Sequence, residues 1–578
     1  MESEIKRIIN SMSLEEKVGQ LFMEYNESKY EVLPHVKQAL KDGIIGSIIY
    51  FSGCNVENGL QLSELSIKVQ EAAKKSKYKL PAIIAIDQEG GQLAAVRKKA
   101  VISPGNMAIA ATNSIEDAKV MGEIAGAQLK AMNVNVNLAP VVDTACNLDV
   151  PITSNRFFAS NPELVGKMGA AYVKGCQSKG ISACLKHFPG QSNSEKDTHW
   201  HLDVIDKSLE ELEKNELLPF KMGIEAGVDS ILTIHAMFPA IDKELPATLS
   251  EKIINGVLRN KLGYNNLIIT DDVYMKAIKD HYGVDEAAYL ALNAGCDIVM
   301  GAAGTKTMHQ YVIKKIKEGK LSIDKIHSAL ERVLKFKFKY CMDITPVSKA
   351  KKVLENKKFE QMSQQVADNS ITLIRNNEGL IPLKLKKNDL ICIIQPGMIR
   401  LEMSDAVNLY DENILKKEIM KRHKNVREVV IGLEPNKEEL ISIFDNAFIS
   451  DVIIACTQNA FKYSQQAKMI KELKELADSK NKKLITVALR SPSDLAWYPE
   501  VETHIVTYGN WDCQMRALVK VLFGEIKPKG KLPVPIKGLY NVGYSFTGKP
   551  KIKKKKTQPK NLFWHEREDE KKEVKNEK

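Results

Sequence analysis

Nowhere in the 578 residues does an uncharged apolar run reach the roughly 18 residues a membrane-crossing helix needs, which excludes an integral helical membrane protein. The nine cysteines are an odd number, lie far apart and form no CxxC; Cys176 and Cys184 are the nearest pair. That spacing removes zinc ribbons and thioredoxin-like chemistry. Cys184, Cys392 and Cys456 sit inside apolar runs and read as core thiols of a reducing compartment. The N-terminal Met1-Glu-Ser-Glu-Ile-Lys-Arg-Ile-Ile is charged where a signal peptide has its apolar core, so the cytoplasm is the expected location. There is no GxGxxG phosphate cradle, no finger, RNP-like or helix-turn-helix signature, and no repeat of about 20 to 50 residues. Nucleic acid is therefore not an expected partner.

What remains is an ordinary globular composition, 44% hydrophobic and 27% charged. The net charge, 84 − 72 = +12, is unevenly placed. Residues 551–578 hold eleven Lys or Arg against six Asp or Glu, or +5. Lys551-Ile-Lys-Lys-Lys-Lys556 reads either as a holder for an anionic polymer or as part of a solvated, disordered end.

Apolar, β-branched runs alternate with amphipathic stretches over the first 345 residues. Expected strands are Leu21 to Tyr25, Gly46 to Phe51, Pro81 to Asp87 and Asn135 to Asp143. Ile181 to Phe188, Asp229 to His235, Leu267 to Asp272 and Asp297 to Gly301 follow. Their hydrophobicity is continuous, as in strands buried on both faces, and eight such units make a (β/α)8 barrel. Residues 346–360, with Pro346 and several lysines, read as a linker. Beyond it, Leu390 to Ile394, Val426 to Gly432, Val452 to Cys456, Leu484 to Leu489 and Thr503 to Tyr508 predict five parallel strands of an α/β/α sandwich over 361–550. Gly530 to Pro535 and Tyr540 to Tyr544 read as an extended closing segment, and 551–578 as the tail.

Polar residues stand where the barrel runs end: Asp87, Asp143, Lys186 and His187, His235, and Asp271 with Asp272. A barrel gathers these ends on the face where catalytic residues sit. In Lys186-His-Phe-Pro-Gly-Gln-Ser-Asn-Ser-Glu-Lys-Asp-Thr-His-Trp-His201, Pro189-Gly190 forces a turn and Gln191 to Lys196 must be a loop. Asp197 lies two residues from His199, so its carboxylate can accept the Nδ1–H, favour the protonated ring and leave Nε2 to deliver a proton. Asp271 and Asp272 point to opposite sides of an extended chain. One should face the pocket as nucleophile, base or metal ligand, while capping of the next helix suits Asp272 better than Asp271. In Asp87-Gln-Glu-Gly-Gly91 the double glycine admits close backbone approach, and Asp87 could accept from sugar hydroxyls.

Together these motifs resemble the bacterial β-N-acetylglucosaminidases of glycoside hydrolase family 3. The resemblance takes in Lys186-His-Phe-Pro-Gly190 with Asp197-Thr-His199, Asp87-Gln-Glu-Gly-Gly91, Asn137-Leu-Ala-Pro-Val-Val-Asp143, Arg156 and Thr270-Asp-Asp272. It continues through Leu380-Ile-Pro-Leu383, Ser491-Pro-Ser-Asp-Leu495 and Leu532-Pro-Val-Pro535. It implies a barrel followed by a sandwich, with no metal or organic cofactor. It also implies Asp271 as nucleophile, His199 as general acid/base, Asp197 as its partner, and Asp87, Arg156, Lys186 and His187 as sugar-binding residues. Lys186 would hold hydroxyls and help keep Asp271 ionised. The activity implied is retaining release of terminal N-acetylglucosamine from cell-wall glycans. A histidine acid/base places no anion where the acceptor enters, so phosphate could compete with water. Two positions depart from the family pattern: Gln191-Ser192 stands where His-Gly is usual, and Gln92 where Arg is common.

Three other readings fit parts of the chain. His199-Trp-His201 with His187, His235 and Asp271 could form the shell of a metal-dependent hydrolase, although the pair lies in a loop rather than on a strand. A β-glucosidase of the same family would share the barrel, and a carbohydrate-binding protein with an inactive site would share the pocket.

Overall fold

The computed structural model describes residues 2–145, 155–191, 197–302, 304–397 and 414–548. All eight expected barrel runs contain strands. They are β1 Phe22–Tyr25, β2 Ser47–Tyr50, β3 Ile83–Ile86, β4 Val136–Asn137, β5 Ser182–Phe188, β6 Ser230–Thr233, β7 Leu267–Ile269 and β8 Val299–Met300. They run parallel in the order β7-β6-β5-β4-β3-β2-β1-β8, and a parallel bridge from Ile269 to Ile298 closes the cylinder. Ile48, Ile84, Leu185, Ile231 and Ile268 are fully buried between the barrel interior and the outer helices, which is why the runs are continuous. β4 is much shorter than the run Asn135 to Asp143. Pro140 has no N–H to give a neighbouring strand, and pairing resumes only at the Val141–Lys186 bridge.

The helices Ile115–Ala131 and Pro162–Gln177 pack against each other almost backbone to backbone. A Cβ on Gly122 would lie 2.3 Å from the Tyr172 carbonyl oxygen, and one on Gly175 would lie 2.1 Å from that of Lys119. Ser114 and Asn161 cap the two N-termini, and Pro162 opens the second helix.

Residues 346–360, read as a linker, are largely helical: Val347–Leu354 is followed by Lys357–Ser370. Ala350 and Leu354, four apart, are buried on one face while Lys349, Lys351 and Lys352 are exposed, so the lysines conceal an amphipathic helix.

The second sheet has six strands: β9 Thr372–Asn376, β10 Ile391–Pro396, β11 Val426–Ile431, β12 Val452–Thr457, β13 Lys483–Ala488 and β14 Thr503–Val506. Their order is β9-β14-β13-β12-β10-β11. The five expected strands are parallel; β9, which the sequence pattern did not reveal, is an antiparallel edge on β14. Ile391, Ile393, Ile454 and Cys456 enter one core and Cys392, Ile394, Ile453 and Ala455 the other, the alternation of a sheet covered on both sides.

The second of these cores continues into the barrel through Met107, Ala108, Ala111, Val141 and Phe157. The closing segment is bonded into this seam. Lys531 N–H donates to the Ala111 carbonyl at 2.9 Å, Ser160 N–H to that of Pro533 at 3.2 Å, and Leu532 N–H to that of Tyr544 at 2.9 Å. The segment is extended but forms only a bridge, Ile536 to Tyr540, rather than a ladder. Among the described residues no helix is long and apolar enough to cross a membrane. The tail 551–578 lies outside the described residues.

Candidate active site

The C-terminal ends of the barrel strands bring the expected residues onto one face. Asp87 follows β3, Lys186 and His187 lie in β5, His235 follows β6, and Asp271 and Asp272 follow β7.

A carboxylate given no role from sequence lies at the centre of the sugar-binding group. Glu89 takes two parallel bonds from Arg156, Nε to Oε2 at 2.9 Å and a terminal nitrogen to Oε1 at 2.7 Å, and Lys186 Nζ reaches Oε1 at 2.6 Å. Burial alone would raise the Glu89 pKa, but the two cations pull it down to about 2. Arg156 and Lys186 are both held more firmly protonated in spite of their own burial, by Glu89 and Asp87. Lys186 Nζ also donates to Asp87 Oδ1 at 2.5 Å. Its partners are thus Asp87 and Glu89, and the charged groups acting most strongly on Asp271 are imidazoles. The signal for Glu89 was present in Asp87-Gln-Glu-Gly-Gly91, as the second acid of a motif whose first acid drew attention.

His187 donates from Nδ1 to Asp143 Oδ2 at 2.7 Å, leaving Nε2 for the pocket. Asp143 is fully buried and its Oδ1 also accepts the Gln191 N–H at 2.8 Å. Gln191 is therefore tied by its backbone to the carboxylate that orients His187, and Ser192 lies outside the described residues.

Asp197 and His199 pair as their spacing predicts. His199 Nδ1–H donates to Asp197 Oδ1 at 2.7 Å, and the His199 backbone N–H reaches the same oxygen at 2.9 Å. An ionised carboxylate can only accept, so the ring proton sits on Nδ1 and Nε2 faces away. Burial would lower the His199 pKa, yet the bond and charge of Asp197, with Asp271 beyond, hold it above the ordinary imidazole value. Asp197 is held below the ordinary carboxylate value by the same bond. His201 is exposed. Among the described residues no group of three His, Cys, Asp or Glu is arranged to hold a metal ion.

Asp271 is half-buried, and its Oδ1 accepts the Asp272 N–H at 2.8 Å. Burial acts to raise it; the imidazoles of His235, His187 and His199 outweigh that and keep it low and anionic. His235 is fully buried. Its Nε2 donates to the Asp272 carbonyl at 3.0 Å and its Nδ1 faces the Thr248 hydroxyl at 2.9 Å, so it pins the turn carrying Asp271. Asp272 does not cap the next helix, which begins at Lys276. Its Oδ1 accepts from Tyr274 N–H at 3.1 Å and Ala302 N–H at 3.2 Å, tying the loop after β7 to that after β8. Burial raises its pKa to about 6.

The sandwich touches this face. Trp511 Nε1 donates to the Gly91 carbonyl at 2.6 Å, beside the Glu89 turn, and Asn155 Nδ2 donates to the Tyr508 carbonyl at 2.9 Å, next to Arg156.

The strand ends thus carry a carboxylate held below its ordinary pKa, an imidazole held above its own, and hydrogen-bonding groups suited to a polyol. The chain as a whole is similar to known proteins. Residues 13–336 match the glycosyl hydrolase family 3 N-terminal domain. Beta-hexosaminidase A of Pseudoalteromonas piscicida is 28% identical over 548 residues, covering 87% of this chain and 91% of that relative. A beta-hexosaminidase of Nitrosomonas eutropha is 33% identical over 45% of this chain and 74% of its own. The structure of a family 3 beta-N-acetylglucosaminidase from Paenibacillus sp. superimposes with a TM-score of 0.83 at 30% identity, covering 91% of this chain and 99% of that one. A family match over more than half the chain, on a barrel whose strand ends carry this apparatus, makes the chain a glycoside hydrolase of family 3.

Proposed function

We propose that the chain is a retaining exo-β-N-acetylglucosaminidase. The observation that carries this reading is the Asp197–His199 pair beside Asp271, supported by relatives named beta-hexosaminidase and beta-N-acetylglucosaminidase. Asp271 attacks the anomeric carbon while His199 Nε2 gives its proton to the departing oxygen, leaving a covalent glycosyl-enzyme. The neutral His199 then takes a proton from water as it attacks, and the second displacement restores the original configuration. Asp87, Arg156, Lys186 and His187 hold the sugar, Arg156 and Lys186 being braced by Glu89. The substrate class is terminal N-acetylglucosamine on cell-wall fragments. The working division is a barrel over 1–345 and a sandwich over 361–550.

Release of nitrophenol from its N-acetyl-β-D-glucosaminide tests the reading. Wild type should turn over in EDTA, with the glucoside much poorer, and Asp271→Ala should lose activity by several orders of magnitude. A glucoside preference would favour the β-glucosidase reading, and sugar binding without turnover would favour the inactive carbohydrate-binding one. The histidine acid/base supports a second outcome in the same assay: sugar 1-phosphate forms when phosphate is present, whereas free sugar alone refutes phosphorolysis.

A further inference from the structure

The polar groups of the site come from β3 to β7 and the loops that follow them. The rim at β1 and β2 carries two aromatic rings with no part in the chemistry above.

Alternation fixes where those rings point. Phe22 packs edge-on against His309, and the Glu24 carboxylate accepts from Thr305 N–H and hydroxyl at 3.2 and 2.6 Å. His309 belongs to the outer helix Lys306–Lys317 and Thr305 caps it, so Phe22 and Glu24 face outward. Met23 and Tyr25 therefore face the barrel axis. Register pairs Tyr25 with Ile49 and Ile49 with Ala85, and the next inward positions on β2 and β3 are Phe51 and Asp87. Met23 and Ile49 below are fully buried, whereas Tyr25 and Phe51 keep partial exposure at the mouth. Their rings meet edge to face, centroids 5.5 Å apart and planes at 68°. Phe51 thus shares the inward face of its strand with the aspartate assigned to sugar hydroxyls on the neighbouring strand.

A pyranose in β linkage has hydroxyls around its edge and an apolar C–H surface on its faces. Strands β3 to β7 supply partners for the edge, and the adjoining aromatic corner supplies a partner for a face. We propose that Tyr25 and Phe51 form the platform on which the C–H face of the terminal sugar rests. The proposal rests on the glycosidase reading of the same site and assigns two specificity-determining residues to it.

The test compares wild type with Tyr25→Ala, Phe51→Ala and Tyr25→Phe. KM and kcat are measured on nitrophenyl N-acetyl-β-D-glucosaminide, the inhibition constant for free N-acetylglucosamine is determined, and melting is followed in parallel. Each alanine variant should raise KM and weaken inhibition by the free sugar about tenfold, the factor for losing roughly 50 Å2 of apolar contact. Tyr25→Phe, which keeps the ring, should lose less than about threefold in both. Folded alanine variants whose sugar inhibition stays within about twofold of an active wild type would overturn the platform, even if they melt lower, because that is the behaviour of core filling alone. A wild type inactive on every β-glycoside would instead overturn the glycosidase reading and the platform with it.

Discussion

At the scale of single residues, proton placement decides what this site does. His199 delivers a proton only while charged, so turnover should be full below its raised pKa and fall as pH climbs through it. Asp271 must be anionic, and because its pKa is lowered the acid limb should lie below the ordinary carboxylate value of about 3.9. Asp197→Asn removes the anion that holds His199 up. The basic limb of kcat/KM against pH should then move down, to about 6.5 or lower, with the acid limb in place and kcat reduced about 100-fold. A basic limb that stays put would mean that Asp197 does not set the His199 charge. The dyad was legible from a two-residue spacing because both partners lie on one short turn. Glu89 was not, because its partners Arg156 and Lys186 are 67 and 97 positions away and only the closed barrel brings them together.

At the scale of elements, the helices Ile115–Ala131 and Pro162–Gln177 form a close pair, and Arg156 precedes the second of them. Gly122→Ala would press a methyl against the Tyr172 backbone, which no rotamer can relieve. A loss of about 1–3 kcal/mol in urea unfolding is expected, without loss of the barrel's circular dichroism. Such contacts are silent in a single sequence, where a glycine within a helix reads only as a weak helix former. The strands were legible for the opposite reason. Ile83-Ile-Ala-Ile86 and Ile391-Cys-Ile-Ile394 are buried on both faces, and burial is written into each residue. β9 escaped because Arg375 and Asn376 give its end a polar look, although Arg375 packs over the Tyr540 ring and bonds its hydroxyl. The helix Val347–Leu354 escaped because its lysines outnumber its two buried residues.

At the scale of the whole molecule, the sandwich is joined to the catalytic face by an apolar seam and a few aimed hydrogen bonds. Trp511 is the most direct of these. Trp511→Phe keeps the apolar bulk but leaves the Gly91 carbonyl without its donor. It should cost about 1–2 kcal/mol in unfolding and lower kcat/KM on the nitrophenyl substrate several-fold through a looser Glu89 turn. Unchanged kinetics with only the stability loss would confine the sandwich to a supporting role. The same scale brings out a consequence of the Glu89 cluster. The chain carries +12 overall, yet the Arg156 and Lys186 cations at the sugar-binding rim sit within hydrogen-bond distance of Glu89, and Lys186 also of Asp87. Paired so closely, their fields cancel a few ångströms out, well inside the roughly 8 Å over which physiological salt screens. A neutral glycan is thus captured by contact rather than drawn in from a distance, and its encounter rate should be nearly indifferent to ionic strength even though the protein as a whole is a strong polycation.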